Sequence, residues 1–112
     1  MTDSSTSHFP QLFSPFRLGH TETPNRIVST SHGTNMASEG IPTPQLIAYH
    51  EAKARGGCGT VMMFGSGAAS PLTPIMNNHV NLWDDRAKNG LRGAAHAIKQ
   101  HGALAISQVT SM

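Results

Sequence analysis

Charge is scarce in this sequence. Only 12% of its 112 residues are Asp, Glu, Lys or Arg, and Lys plus Arg exceed Asp plus Glu by 8 to 6. So small a surplus makes no basic patch, and charge therefore gives no support to nucleic-acid binding. Cysteine is almost missing too. Cys58 stands alone, with no partner for an internal disulfide and no second thiol for a zinc motif, which fits a reducing, cytoplasmic setting and a packing role for Cys58 itself. No apolar run is long enough to span a bilayer, so no membrane partner is expected. The opening "MTDSSTSH" lacks the cationic start and apolar core of a secretory signal, and residues 1–8 are expected to be disordered.

What is present suits one small domain. Apolar residues make up 38% of the chain and Gly and Pro are frequent, as in an α/β domain with many turns. After an apolar arm, "FPQLFSPFRLG", comes "TETPN", which reads as a turn, and then Arg26 to Thr30 as a first strand. "GIPTPQLIAYHEAKARGG" carries a full set of helix signals: Thr43 for the N-cap, Pro44 for the first helical position, and Leu46, Ile47, His50 and Ala54 on one face. Lys53 and Arg55 occupy the last turn, with Gly56 and Gly57 as the stop. The following "GTVMMFGSG" is a continuous apolar run bounded by glycines, the pattern of a strand buried on both faces.

A long loop leads to "DDRAKNGLRGAAHAIKQHG". There Asp84 or Asp85 caps a helix whose Leu91, Ala94, Ala95 and Ile98 share a face, and Gly102 ends it. "ALAISQV" is the third strand. Strand, helix, strand, helix, strand implies right-handed crossovers and a parallel sheet, which begins either a doubly wound sheet or a (β/α)8 barrel. A dinucleotide-binding doubly wound sheet carries G-x-G-x-x-G after its first strand, and "STSHGTNM" does not. The barrel is favoured.

Barrel ligands bind at the carboxyl ends of the strands. Those ends are Ser31 to Thr34, Phe64 to Gly67 and Gln108 to Ser111, small or polar apart from Phe64 and Val109. Such a surface lets a flat, hydrogen-bonding group approach the backbone. Other chemistries have little support. The seven histidines are scattered without ligand spacing, so no metal site is expected, and Ser66, Ser70 and Ser111 have no recognisable histidine and acid partners for hydrolysis.

"LFSPFRLGHTETPNRIV", "GIPTPQLIAYHEAKARGG", the glycine-bounded strand and "AAHAIKQHGALAISQVTSM" together resemble the N-terminal part of the Old Yellow Enzyme family, from Phe9 onward. "STSHGTNM" and "MMFGSG" are closer to its larger members, the 2,4-dienoyl-CoA reductases and the amine dehydrogenases or demethylases. The resemblance implies an α/β fold, a partial (β/α)8 TIM barrel comprising the first three strands and two helices, over residues 9–112. It implies FMN as cofactor, NADH or NADPH as reductant, and a small-molecule substrate. An iron–sulfur cluster and FAD would belong only to a longer parent protein.

Carried over residue by residue, the resemblance sets Ser31, His32 and Gly33 against the flavin, chiefly through backbone. It sets Gly65 beside the ring system and the Gln108 amide on the pyrimidine edge, where a donor and an acceptor are needed together. Catalytic residues are not assigned. Ser31 and Gly33 depart from the proline and the threonine or cysteine common in relatives, and Ser111 stands where the family has histidine. A complete barrel needs about 250 residues, so the chain is expected to be a fragment that is inactive alone. The alternatives are an amine dehydrogenase or demethylase of the same family, or a noncatalytic partial barrel that forms homo-oligomers.

Overall fold

The computed structural model describes residues 8–73 and 78–111. Of the segment expected to be disordered, only His8 is among the described residues. Two sheets are present: a hairpin of β1 (Phe16–Leu18) and β2 (Thr21–Thr23), and a parallel three-stranded sheet ordered β3 (Val28–Ser29), β4 (Thr60–Ala68), β5 (Leu104–Thr110). Helix α1 (Pro44–Arg55) connects β3 to β4, and α2 (Lys88–Lys99), entered through a 3-10 turn at Asp85–Ala87, connects β4 to β5.

The hairpin revises the reading of "TETPN" as a turn. Gly19, at φ +62°, makes the reversal earlier, and Thr21–Thr23 pairs back on Phe16–Leu18. Thr23 is buried, and its single hydroxyl proton is shared between Asn25 O at 2.9 Å and Phe16 O at 3.2 Å, so a threonine that reads as turn-forming instead ties the hairpin to the chain entering β3. The strand expected over residues 26–30 is only Val28–Ser29, pairing with Thr60 and Val61.

Helix α1 follows its sequence signals. Asp84, one of the two expected caps of the second helix, caps the 3-10 turn instead, its Oδ1 accepting from Arg86 N at 2.9 Å, and α2 begins after Ala87 with no side-chain cap. Thr43 is extended at φ −93° and ψ 161°, and its hydroxyl oxygen accepts from Leu46 N at 3.1 Å while donating to Met36 O. Leu46, His50 and Ala54 are the buried residues of α1, and Ala94, Ala97 and Ile98 those of α2. Both helices lie on one face of the parallel sheet, and Val61, Met63 and Phe64 complete the core between them. The opposite face is only partly covered. Phe16, Leu18, Val28 and Ile106 line a hollow of about 410 Å³ beneath the hairpin, at the amino ends of the strands. Val109 on β5, the last strand within these 112 residues, is 61% exposed.

Cys58 is half-buried against the core, its thiol donating to Thr60 O at 3.1 Å, which agrees with a packing role. Among the described residues, no helix is long and apolar enough to cross a membrane.

Thr43 links the loop after β3 to the first turn of α1, so Thr43→Ala is expected to lower stability by about 1–2 kcal/mol. Thr43→Ser should recover most of that loss, as read from urea denaturation midpoints.

Candidate functional site

The carboxyl end of β4 departs from a regular strand. Pairing with β5 runs Thr60 to Leu104 through Met63 to Ser107, then resumes at Gly67 with Val109, so residues 64–66 face Gln108 alone. At this bulge Phe64 adopts φ +63°, the left-handed region that a bulky side chain rarely enters. Alternation along the strand breaks there, and Met63 and Phe64 both enter the same core. Phe64 packs edge-on against His50 of α1, ring centroids 5.8 Å apart. That packing helps to hold the uncommon backbone in place.

The bulge frees the Gly65 carbonyl from the strand ladder, and the Gln108 side-chain amide takes it up. Nε2 of Gln108 donates to Gly65 O, and Oε1 accepts from the Ser31 hydroxyl, so one amide joins the ends of all three strands. A primary amide has two N–H groups and its oxygen has two lone pairs, so one donor and one acceptor on Gln108 have no partner among the described residues. Gly65 also lies directly against the peptide between His32 and Gly33. A Cβ built on it would collide with His32 C and O and with Gly33 N.

Ser31, His32, Gly33, Gly65 and Gln108 are therefore neighbours, although they come from three separate segments. Their arrangement differs in detail from a purely backbone-facing surface. Ser31 acts through its hydroxyl, and the His32 ring turns outward to α1, where Nε2 lies 2.7 Å from the Tyr49 hydroxyl. Nδ1 of His32 faces the Thr30 carbonyl at 3.4 Å; an acceptor there favours the Nδ1–H tautomer, with Nε2 accepting from Tyr49.

The sequence reading missed three other residues. Tyr49 sits one turn before Lys53, and their i, i+4 spacing is the only signal that could have paired them. His79 arrives from the β4–α2 loop, which is held by Ala37 N–H···O Asn78 at 3.1 Å and Asn81 N–H···O Gly40 at 2.8 Å. Its ring borders Gly33, where an added Cβ would lie 3.1 Å from Nε2, while Gly33 itself stays exposed. No local sequence pattern announces that contact. His50, read as a member of a helix face, is 1% exposed, and neither ring nitrogen has a hydrogen-bond partner among the described residues. Burial, then the Lys53 ammonium and the His32 ring, lowers its pKa from 6.5 to about 4.

A scan against protein families matches residues 11–112 to the NADH:flavin oxidoreductase / NADH oxidase family. The chain belongs to that family. It is 35% identical over 106 residues to the N,N-dimethylglycine/sarcosine dehydrogenase of Chromohalobacter salexigens, covering 93% of this chain and 15% of that protein. It is 33% identical over 108 residues to the multifunctional alkene reductase/demethylase OYE of Caballeronia cordobensis, covering 96% of this chain and 16% of that protein. Among solved structures, a 2-naphthoyl-CoA reductase bound to 2-naphthoyl-CoA superposes with a TM-score of 0.83 at 26% identity, over 88% of this chain and 15% of that one. The flavin oxidoreductase fold is thus a TIM barrel of which this chain forms part, and the chain spans about 15% of the length of the curated relatives it matches.

Two outcomes follow from the geometry. Gly65→Ala would force two backbone segments apart and is expected to cost about 1–3 kcal/mol; an unaltered thermal midpoint would contradict the close approach. His50 sets a pH dependence with a definite sign. The unfolded chain takes up a proton as pH falls through 6.5, whereas folded His50 resists until about 4, so its contribution is nearly complete at neutral pH and is lost toward pH 4. Between pH 7 and pH 5 the loss is about 2 kcal/mol, and His50→Leu should remove that part of the slope in denaturation curves at the two pH values.

Proposed function

We propose that the carboxyl face of this sheet holds the pyrimidine edge of FMN. The protein carrying this chain is then an FMN-dependent oxidoreductase that passes hydride from NADH or NADPH to an α,β-unsaturated acceptor. The observation that carries the reading is the Gln108 amide. Fixed at both ends by Ser31 and Gly65, it offers, free among the described residues, one donor beside one acceptor, the pairing that the flavin's adjacent C=O and N–H groups require.

The surroundings fit the same group. The Gly65 approach keeps the His32–Gly33 peptide low, and Gly33 stays exposed beside the His79 ring, so that a flat ring can reach its backbone. Bound flavin supplies reversible two-electron chemistry that no amino-acid side chain offers. The roles of this chain's own residues are binding and positioning: Gln108 orients the ring edge, Ser31 fixes the amide, and Gly33 and Gly65 keep side-chain bulk out. With Cys58 as its single cysteine, the chain cannot itself ligate a four-cysteine iron–sulfur cluster. Any such cluster, or an FAD site, would be built from residues outside these 112.

A second reading, oxidation of an N-methylated amine, is favoured by the names of two of the curated relatives, one a dimethylglycine/sarcosine dehydrogenase and the other a reductase/demethylase. Anaerobic bleaching of the flavin band separates the two. Bleaching by NADH or NADPH, with recovery on adding an activated alkene, supports the first reading; bleaching by a secondary or tertiary N-methyl amine supports the second.

Gln108→Leu removes both free positions and also unties Ser31 from Gly65. It is expected to weaken FMN binding by about 10- to 100-fold, measured by fluorescence titration. An unchanged affinity and visible spectrum would refute the assigned contact.

A further inference from the structure

We infer that Tyr49 is a positioning residue for the proposed flavin edge, acting with Lys53 through a closed ring of contacts that holds residues 29–32 in place. The inference rests on the flavin reading of that edge. Beyond Ser29 the chain leaves the sheet, and residues 30–34 belong to neither helix nor strand. Gly65 fixes how close the His32–Gly33 peptide can come from one side, but a close approach sets only a limit. The Ser31–Gln108 hydrogen bond holds the segment at Ser31, and further contacts are needed to hold it at His32.

The contacts that do so lie on α1. Lys53 Nζ donates to the Ser29 hydroxyl at 2.9 Å, at the last residue of β3. The same ammonium sits over the Tyr49 ring, 4.6 Å from its centroid, and this cation–π contact limits the ring's freedom. Tyr49 then reaches back to the loop. Its hydroxyl meets His32 Nε2 at 2.7 Å, and the two rings stand edge-to-face at 5.8 Å and 79°. Ser29, Lys53, Tyr49 and His32 thus form a circuit that the backbone from 29 to 32 completes. Tyr49 is not among the residues that approach Gly65 or Gln108; it acts through His32, whose peptide borders Gly65.

Circuit closure explains a feature that His32 alone does not. A ring pointing away from the site would contribute nothing there unless its far end were held, and Tyr49 holds it. Opening the circuit at any contact leaves Ser31 tied to Gln108 but frees the His32 end, which changes both the backbone's mobility there and its distance from a bound ring.

The test uses the full-length protein carrying this chain, in wild-type form and as Tyr49→Phe, His32→Ala and the double variant. Tyr49→Phe removes only the hydroxyl. Its expected effects are amide hydrogen exchange about tenfold faster at residues 31–34, FMN binding about tenfold weaker, and a shift in the visible band of the bound flavin. In the His32→Ala background, Tyr49→Phe should add nothing to either effect, because the contact is already lost. Unchanged exchange at 31–34, or fully additive effects of the two substitutions, overturns the inference. Faster exchange with unaltered FMN affinity and spectrum also overturns the positioning role, while a Gln108→Leu defect in the same assay leaves the flavin reading standing. If wild-type protein takes up no FMN at all, the flavin reading fails, and with it the positioning role that rests on it.

Discussion

One side-chain amide, that of Gln108, ties together the three strand ends on which the candidate site is built. It can do so because β4 bulges opposite it, releasing the Gly65 carbonyl from the ladder, and because Ser31 arrives at hydrogen-bonding distance from the other side. The amide is half-buried and bonded at both ends, so its partners and its position constrain one another. Remove the bulge and the Gly65 carbonyl returns to strand pairing. Remove Gly65 and the segment after β3 cannot come near.

Behind that amide, the core supports the bulge. Phe64 accepts a left-handed backbone and packs its ring against His50, which is buried with its nitrogens unpartnered among the described residues. The arrangement trades local stability for geometry at the strand end, as functional sites commonly do. His50 is the cost seen from the helix side: a ring kept neutral by desolvation, close enough to Lys53 and His32 that protonation is further opposed. The same helix face that buries His50 carries Tyr49 and Lys53 toward the end of β3, so packing and site positioning are shared by one helix.

The elements with strong local chemistry were legible in the sequence. Helix α1 was marked by Thr43 and Pro44 at its start, by Leu46, His50 and Ala54 on its buried face, and by the glycines at its end; α2 was marked by Ala94 and Ile98. Hairpin strand Thr21–Thr23 was misread because threonine and proline favour turns locally, and only pairing with Phe16–Leu18 makes an extended strand of it. First strand β3 was overestimated for a related reason: strand length depends on partners, and β4 offers it only two.

Sequence by itself determined the α/β alternation, the parallel order of three strands, the family, and the identities of the small and polar residues at the strand ends. These depend on periodicity, caps and matched motifs, all of which are written along the chain. Tertiary structure alone decided that Ser31, Gly65 and Gln108 share one hydrogen-bonded junction, that His79 fills the space beside Gly33, and that Tyr49 reaches His32. Those contacts join residues far apart in sequence. They depend on a β-bulge and on loop placement that three-dimensional packing sets and no local pattern specifies.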